Sequence, residues 1–290
     1  MLESLLAHVL IAIATGVESL LVLAVIFFGI ALVIKGRGVF DDMRAARGEA
    51  RINVTLYAVD LLFSVPVVLI LLVLIERGIN GLGLQILEPE DWSALPVLLV
   101  GVLAVFFGDM IGYFRHRLEH FGFLWHAHAV HHSDTQMTWT TIFRFHPVNR
   151  FTTAAIDTGV LSLLGFPAEA IVLNNLVRHY YGAFIHMDLP WHYGPLGRVF
   201  ISPAMHQWHH VRSGRGVGTN FATVFSVFDQ AFGTYYVPGS CKVDLGVEED
   251  MGRGAWGQLI HPLKVWGRSI RRSVSRGSAE TPAESRAQPR

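Results

Sequence analysis

At 290 residues, 51% hydrophobic and only 16% charged, with a mean hydropathy of +0.40, the chain departs from an average soluble domain and reads as a membrane protein. Its 23 basic and 23 acidic residues cancel, which leaves no overall electrostatic case for nucleic acid as a partner. A single cysteine, Cys241, excludes an internal disulfide, a cysteine-held iron-sulfur cluster and a thiolate zinc site, so any metal must be held by nitrogen and oxygen.

The N-terminus has no basic region ahead of its apolar run and no small-residue cleavage site after it, so the run is expected to be retained rather than removed as a signal peptide. Residues 5–34 are nearly all apolar and longer than the roughly 20 that a bilayer core requires. They predict an interfacial start and a span from Val17 to Ile34, with Glu18 at its outer end and His8 structural.

A polar loop with Lys35, Arg37, Arg44, Arg47 and Arg51 follows, then a second span from Val54 to Ile75 in which Pro66 is tolerable. The next loop, Glu76 to Trp92, holds one arginine, so the positive-inside rule makes the 35–53 loop cytoplasmic. A third span, Leu95 to Arg115, then returns to the cytoplasmic side. Residues 154–184, broken at LGFP, predict a helical hairpin that is either shallow or fully crossing.

From Trp191 the chain is polar, aromatic and glycine-rich and predicts a cytoplasmic cap. The tail carries Lys264, Arg268, Arg271, Arg272 and Arg276, a run suited to solvent or anionic headgroups. The last fifteen residues have a disordered composition. The expected fold class is thus an all-α integral membrane protein of about four transmembrane or re-entrant helices with a histidine-rich cytoplasmic helical cap. Its expected divisions are 1–94, 95–238 and 239–290.

The histidines carry the chemistry. His116 and His120 stand four apart, His128, His131 and His132 fall at offsets of zero, three and four, and His206, His209 and His210 repeat that second spacing. On a helix such offsets share one face. Imidazole suits zinc, copper, iron or nickel, and a structural zinc fills with four ligands, so eight histidines point to two metals. His186, where the hairpin returns, is a candidate ninth ligand. His146 and His179 are expected as ligands or as outer hydrogen-bond donors, while His126, His192 and His261 are expected to be surface or structural. Asp109 and Tyr113 precede His116 by seven and three positions on one helix face, where a carboxylate can accept the outer N–H of a ligating imidazole.

Together the motifs DMIGYFRHRLEH, LWHAHAVHHS, RFHP, SPAMHQWHH and NFATVFSVFDQAFGTYY resemble the fatty acid hydroxylase superfamily, also called the sterol desaturase family. The resemblance runs from about Leu95 to Pro238. Within the family, FIHMDLP through SPAMHQWHH looks closest to alkylglycerol monooxygenase-like and bacterial sterol desaturase-like members. It implies a membrane di-iron oxygenase that uses O2 and two electrons to hydroxylate or desaturate a lipid, with the nine histidines named above as ligands. Val211 and His126 depart from residues common in the family. They do not touch the ligands but bear on the substrate.

No dinucleotide fingerprint, P-loop or haem-attachment motif is present, so electrons are expected from a separate ferredoxin or cytochrome b5-like donor. Hydroxylation is the favoured outcome, in an inner membrane if the source is bacterial. The competing readings are a desaturase on the same site, a non-enzymatic histidine-rich metal protein, and a b-type haem carrier.

Overall fold

The computed structural model describes residues 2–279. It is an all-helical membrane protein, apart from two isolated β-bridges, Phe200–Phe225 and Val211–Leu245. Three of its helices are long and apolar enough to cross a bilayer. The first, α1 (Leu2–Lys35), is one continuous helix rather than an interfacial piece joined to a span at Val17. The side chain of His8 lies outside the described ones.

Short α2 (Val39–Ala45) leads into α3 (Arg47–Val59), which passes through a π-helical turn at Asp60–Ser64 into α4 (Val65–Gly81). Gly16 lets α1 approach this second span: the Tyr57 hydroxyl donates to the Gly16 carbonyl at 2.9 Å, and an added Cβ would reach the Leu61 side chain. After one turn of α5 (Pro89–Trp92), α6 (Val97–Glu119) forms the third long apolar helix.

The 154–184 region is a hairpin, as its break at LGFP predicts. One leg is α8 (Pro147–Thr153), a second π-helical turn at Ala154–Thr158, and α9 (Gly159–Leu163); the other is α10 (Ala168–Ile185). Gly165 turns the chain at φ +71°, and a Cβ there would fall on the Leu87 carbonyl oxygen. The tip is fastened to the connection between the second and third spans. Ile86 N–H donates to the Leu163 carbonyl at 2.7 Å, Trp92 Nε1 to that of Leu164 at 3.2 Å, and the Trp92 ring stacks on Phe166.

The hairpin's open end carries His146 and His186, so the two legs run the height of α6 between opposite ends. Along that length α10 packs into a small-residue groove on α6, where Gly108 receives Asn174 and Gly112 the Arg178 guanidinium. Neither leg is as apolar as the long helices, because each carries charge that is answered inside the bundle. Each π-turn contributes one such acid: Asp60 pairs with Arg150 at 2.8 Å, and Asp157 with Arg115 and Arg178 at 2.7 Å each.

At the histidine end lie α7 (Gly122–His132), α11 (Pro203–His209), α12 (Val227–Ala231) and the loops between them, with α13 (Gly254–Ala279) crossing α7 and α3. Helix α13 extends into the stretch expected to be disordered, and residues 280–290 lie outside the described range. The basic 35–53 connection is at this same end. Lys35 pairs with Asp188 at 2.7 Å, and Glu49 pairs with Arg144 at 2.5 Å.

Candidate metal centre

Nine imidazoles converge at the end of α6 in two groups. His116, His120, His128, His132 and His209 form one; His131, His186, His206 and His210 form the other. Within each group the ligand-capable nitrogens all lie within 4.8 Å of one another. The H-x-x-H-H boxes do not each serve one point, although their offsets share a helix face. In α7 the i, i+4 pair His128 and His132 joins the first group while His131 turns to the second. In α11 the pair His206 and His210 joins the second while His209 turns to the first. Each box therefore divides between both groups.

Helix ends place these rings. His120, His186 and His210 cap α6, α10 and α11 at their C-termini. Ser202 starts α11 by accepting from the Met205 N–H at 3.1 Å, with Pro203 at the first helical position.

Three rings have a fixed proton. A carbonyl oxygen only accepts, so each imidazole nitrogen facing one must be N–H. His116 Nδ1 donates to the Phe221 carbonyl at 2.7 Å, His209 Nδ1 to Thr219 at 2.6 Å and His186 Nδ1 to Gly182 at 2.6 Å. The Nε2 atoms of these three neutral rings are therefore bare lone pairs. His116 Nε2 and His209 Nε2 nonetheless face each other at 3.0 Å. In the second group His186 Nε2 lies 3.0 Å from His206 Nε2 and 3.2 Å from His131 Nε2. Two lone pairs facing at that distance, as those of His116 and His209 do, repel unless a cation lies between them.

Protons do not fill that role. Burial pushes His120, His128, His131, His132, His206, His209 and His210 well below the ordinary histidine range, and His186 down to about 4, with neighbouring imidazoles adding to the effect in most of them. Nε2 of His120, His128 and His132 is buried with no hydrogen-bond partner among the described residues. The donor set thus fits two metal ions held by nitrogen, one at each group.

Asp109 departs from its expected place. Its carboxylate meets no imidazole but accepts the backbone N–H groups of Thr223, Val224 and Phe225 at 3.1, 3.0 and 2.7 Å. This loop supplies the Phe221 carbonyl that orients His116, so Asp109 acts one step further out. Tyr113 also misses the histidines, its hydroxyl lying 3.0 Å from Thr234 Oγ1. His146 instead caps α8, accepting from Val148 N–H at 3.3 Å, and His179 packs beside Phe143. His261 donates to the Asp250 carbonyl and His192 accepts from Gly194 N–H, so neither joins a group.

Residues that carry no metal-binding signature supply the outer contacts. His128 Nδ1 lies 3.2 Å from Asn149 Nδ2 and 3.5 Å from Glu119 Oε2. Glu119 is fully buried and accepts from Arg115 at 2.7 Å and from Thr152 Oγ1. From there buried ion pairs continue through Asp157 and Arg178 toward Asp109. The sequence signal was present for Glu119 alone, which lies in the first box; Asn149, Asp157 and Arg178 are brought in by the hairpin.

One opening reaches the centre, and a second is lined by sequence neighbours of its histidines. A pocket of about 370 Å³ is lined by His120, His132 and His209 with Trp125, Glu248 and Glu249. A larger cavity of about 860 Å³ has an apolar wall on α1, including Phe27 and Phe28, and a polar end with Lys35, Asp42, Asp188 and Arg212. Met187 and Gln207 in its lining are sequence neighbours of His186 and His206.

Residues 101–234 match the family model described as "Fatty acid hydroxylase". The chain is 29% identical over 182 residues to ornithine lipid hydroxylase OlsE of Rhizobium tropici, covering 62% of this chain and 54% of that protein. It is 31% identical over 145 residues to alkylglycerol monooxygenase of Danio rerio, covering 50% of this chain and 32% of the relative. The corresponding Homo sapiens protein is 28% identical over 164 residues, 56% of this chain and 35% of its own. The match thus spans from about a third to just over half of these relatives' lengths. No solved structure matches.

Proposed function

We propose, for a chain that belongs to the fatty acid hydroxylase family through residues 101–234, that it is a membrane-bound di-iron oxygenase hydroxylating a lipid with O2 and external electrons. The observation that carries this is the facing of His116 Nε2 and His209 Nε2 at 3.0 Å while both Nδ1 protons are committed to carbonyls. His116, His120, His128, His132 and His209 would hold one iron, and His131, His186, His206 and His210 the other. Bound iron supplies the oxidising power that acid-base side chains lack against an unactivated C–H bond.

The chain's own groups do the rest. The Phe221, Thr219 and Gly182 carbonyls keep three rings in one tautomer and aim their lone pairs inward. Burial keeps the imidazoles neutral and ready to ligate. The cavity between α1 and the cap, apolar on one wall and charged at one end, has the shape of access for an amphiphile such as a sterol, a fatty acyl chain or an ether lipid. The basic 35–53 connection lies at the histidine end, which supports a cytoplasmic centre reached by a ferredoxin or cytochrome b5-like donor.

The test is lipid mass spectrometry on cells expressing the intact chain or the His131→Ala, His132→Ala variant under labelled O2, with a competent donor supplied. A lipid gaining one labelled oxygen only with the intact chain supports the hydroxylase. Loss of two hydrogens makes it a desaturase, and no change with donor and candidate lipids present counts against an oxygenase.

A further inference from the structure

Helix α13 is attached to the protein along its first half. Gln258, His261 and Pro262 are buried, and the Gln258 side chain accepts from Ser133 Oγ at 2.8 Å. The opposite face carries Trp256, Leu263 and Ile270, exposed by 72, 56 and 63%. They are seven residues apart and so form a stripe that drifts only slightly around the helix. Beside the stripe stand Lys264 and Arg271, with Arg268 and Arg272 further round, and α13 contains no acid. From Arg268 to Ser273 every side chain is exposed. A contiguous apolar stripe of this length is unfavourable against water, so a surface must cover it.

Its position says which surface. The Trp266 ring stacks on Phe123 at 4.2 Å and its Nε1 donates to the Phe123 carbonyl at 3.0 Å. Phe123 follows directly on the end of α6, where Phe114, Leu118 and Phe121 are also exposed. An apolar helix long enough to cross a bilayer therefore leaves it where α13 departs, and exposed aromatic rings mark that level. An apolar stripe flanked by cations at this height matches a headgroup layer carrying negative charge.

We infer that α13 lies in the plane of the membrane at the histidine end, with Trp256, Leu263 and Ile270 in the acyl boundary and its cations on anionic lipid headgroups. The helix thereby ties the cap to the bilayer: it packs on α7, the helix carrying His128, His131 and His132. The inference needs only the membrane-embedded fold and does not depend on the reaction.

Because Cys241 is the chain's sole cysteine, a Cys241→Ser background allows single nitroxide labels at Leu263→Cys, Ile270→Cys and Ser269→Cys, each in the full chain. The labelled proteins go into vesicles of phosphatidylcholine alone or mixed with phosphatidylglycerol, and unchanged metal content verifies that each is folded. With phosphatidylglycerol, labels at 263 and 270 should collide more with O2 than with a water-soluble nickel chelate, and the label at 269 the reverse. Lys264→Gln with Arg271→Gln should move the label at 270 toward water, and added salt should do the same in the parent. Labels at 263 and 270 that stay water-accessible in both vesicles overturn the inference. Labels shielded from both probes overturn it as well, since they mean the stripe is covered by protein.

Discussion

Asp109 on α6 and Asp229 on α12 hold one short loop from its two ends. Phe221 and Ala222 donate their N–H groups to Asp229, and Thr223, Val224 and Phe225 donate theirs to Asp109, so five consecutive backbone donors end on two buried carboxylates. The loop's Phe221 carbonyl fixes the His116 ring. Replacing either acid by asparagine leaves one acceptor oxygen where there were two. Asp109→Asn and Asp229→Asn should each lower metal affinity roughly ten-fold without removing a ligand. Competition with a graded chelator, followed by metal analysis, measures it; unchanged affinity in both would mean the loop does not tune the centre.

The division of both H-x-x-H-H boxes between two groups has its own signature. His120→Ala should lower metal content by one ion per chain while sparing the His131 group, and His206→Ala should spare the His120 group. Mass-spectrometric metal analysis of purified protein reads the ratio. If every single variant emptied both sites, the groups would have to be one cooperative site.

Arg144 is 1% exposed and joins the first polar loop to the cap, donating to Glu49 at 2.5 Å, to Asn53 at 3.2 Å and to the Val130 carbonyl at 3.1 Å. Arg144→Met leaves buried Asp134 and half-buried Glu49 without their cation. A loss of about 3 kcal/mol is expected. Adding Glu49→Gln should recover part of it. Thermal unfolding in detergent compares the three proteins, and an Arg144→Met melting point equal to the parent's would refute the bridge.

His146 supplies a pH-dependent term. Burial pushes it down to about 4, and its neutral Nδ1 caps α8. The folded state resists a proton that the unfolded chain takes near pH 6.5, so this group's contribution is complete above pH 6.5 and is lost as pH falls toward 4. His146→Asn retains a capping oxygen and removes the titration. Its melting point should lie near the parent's at pH 7.5 and above it at pH 5. A parallel pH dependence in both proteins would exclude the role.

What was legible in the sequence follows from the range of the signal. The spans show as long apolar runs, and the boxes show because offsets of three and four survive in the chain order. Asp109 was visible on the right helix face, but its partners are backbone N–H groups 114 to 116 residues away, which no side-chain pattern announces. The splitting of the two H-x-x-H-H boxes was hidden for a similar reason. Offsets fix a helical face, whereas which of two points a ring turns to depends on the helices opposite. The hairpin was readable at Gly165 and Pro167, yet its depth depended on tip contacts with Ile86 and Trp92. Asp157 and Arg178 find their partners only when the hairpin packs on α6, which brings Arg115 to one and Asp109 to the other.

The wide separation of the rings along the chain also orders the protein's biosynthesis. His116 leaves the ribosome long before Thr219 and Phe221, the residues whose carbonyls turn His209 and His116 toward each other. A nascent chain that reaches past His132 but not yet to His186 would hold five of the nine imidazoles but neither complete set. Metal capture therefore follows translation of the cap, and the newly made bundle must stand on its ion pairs and helix packing until then.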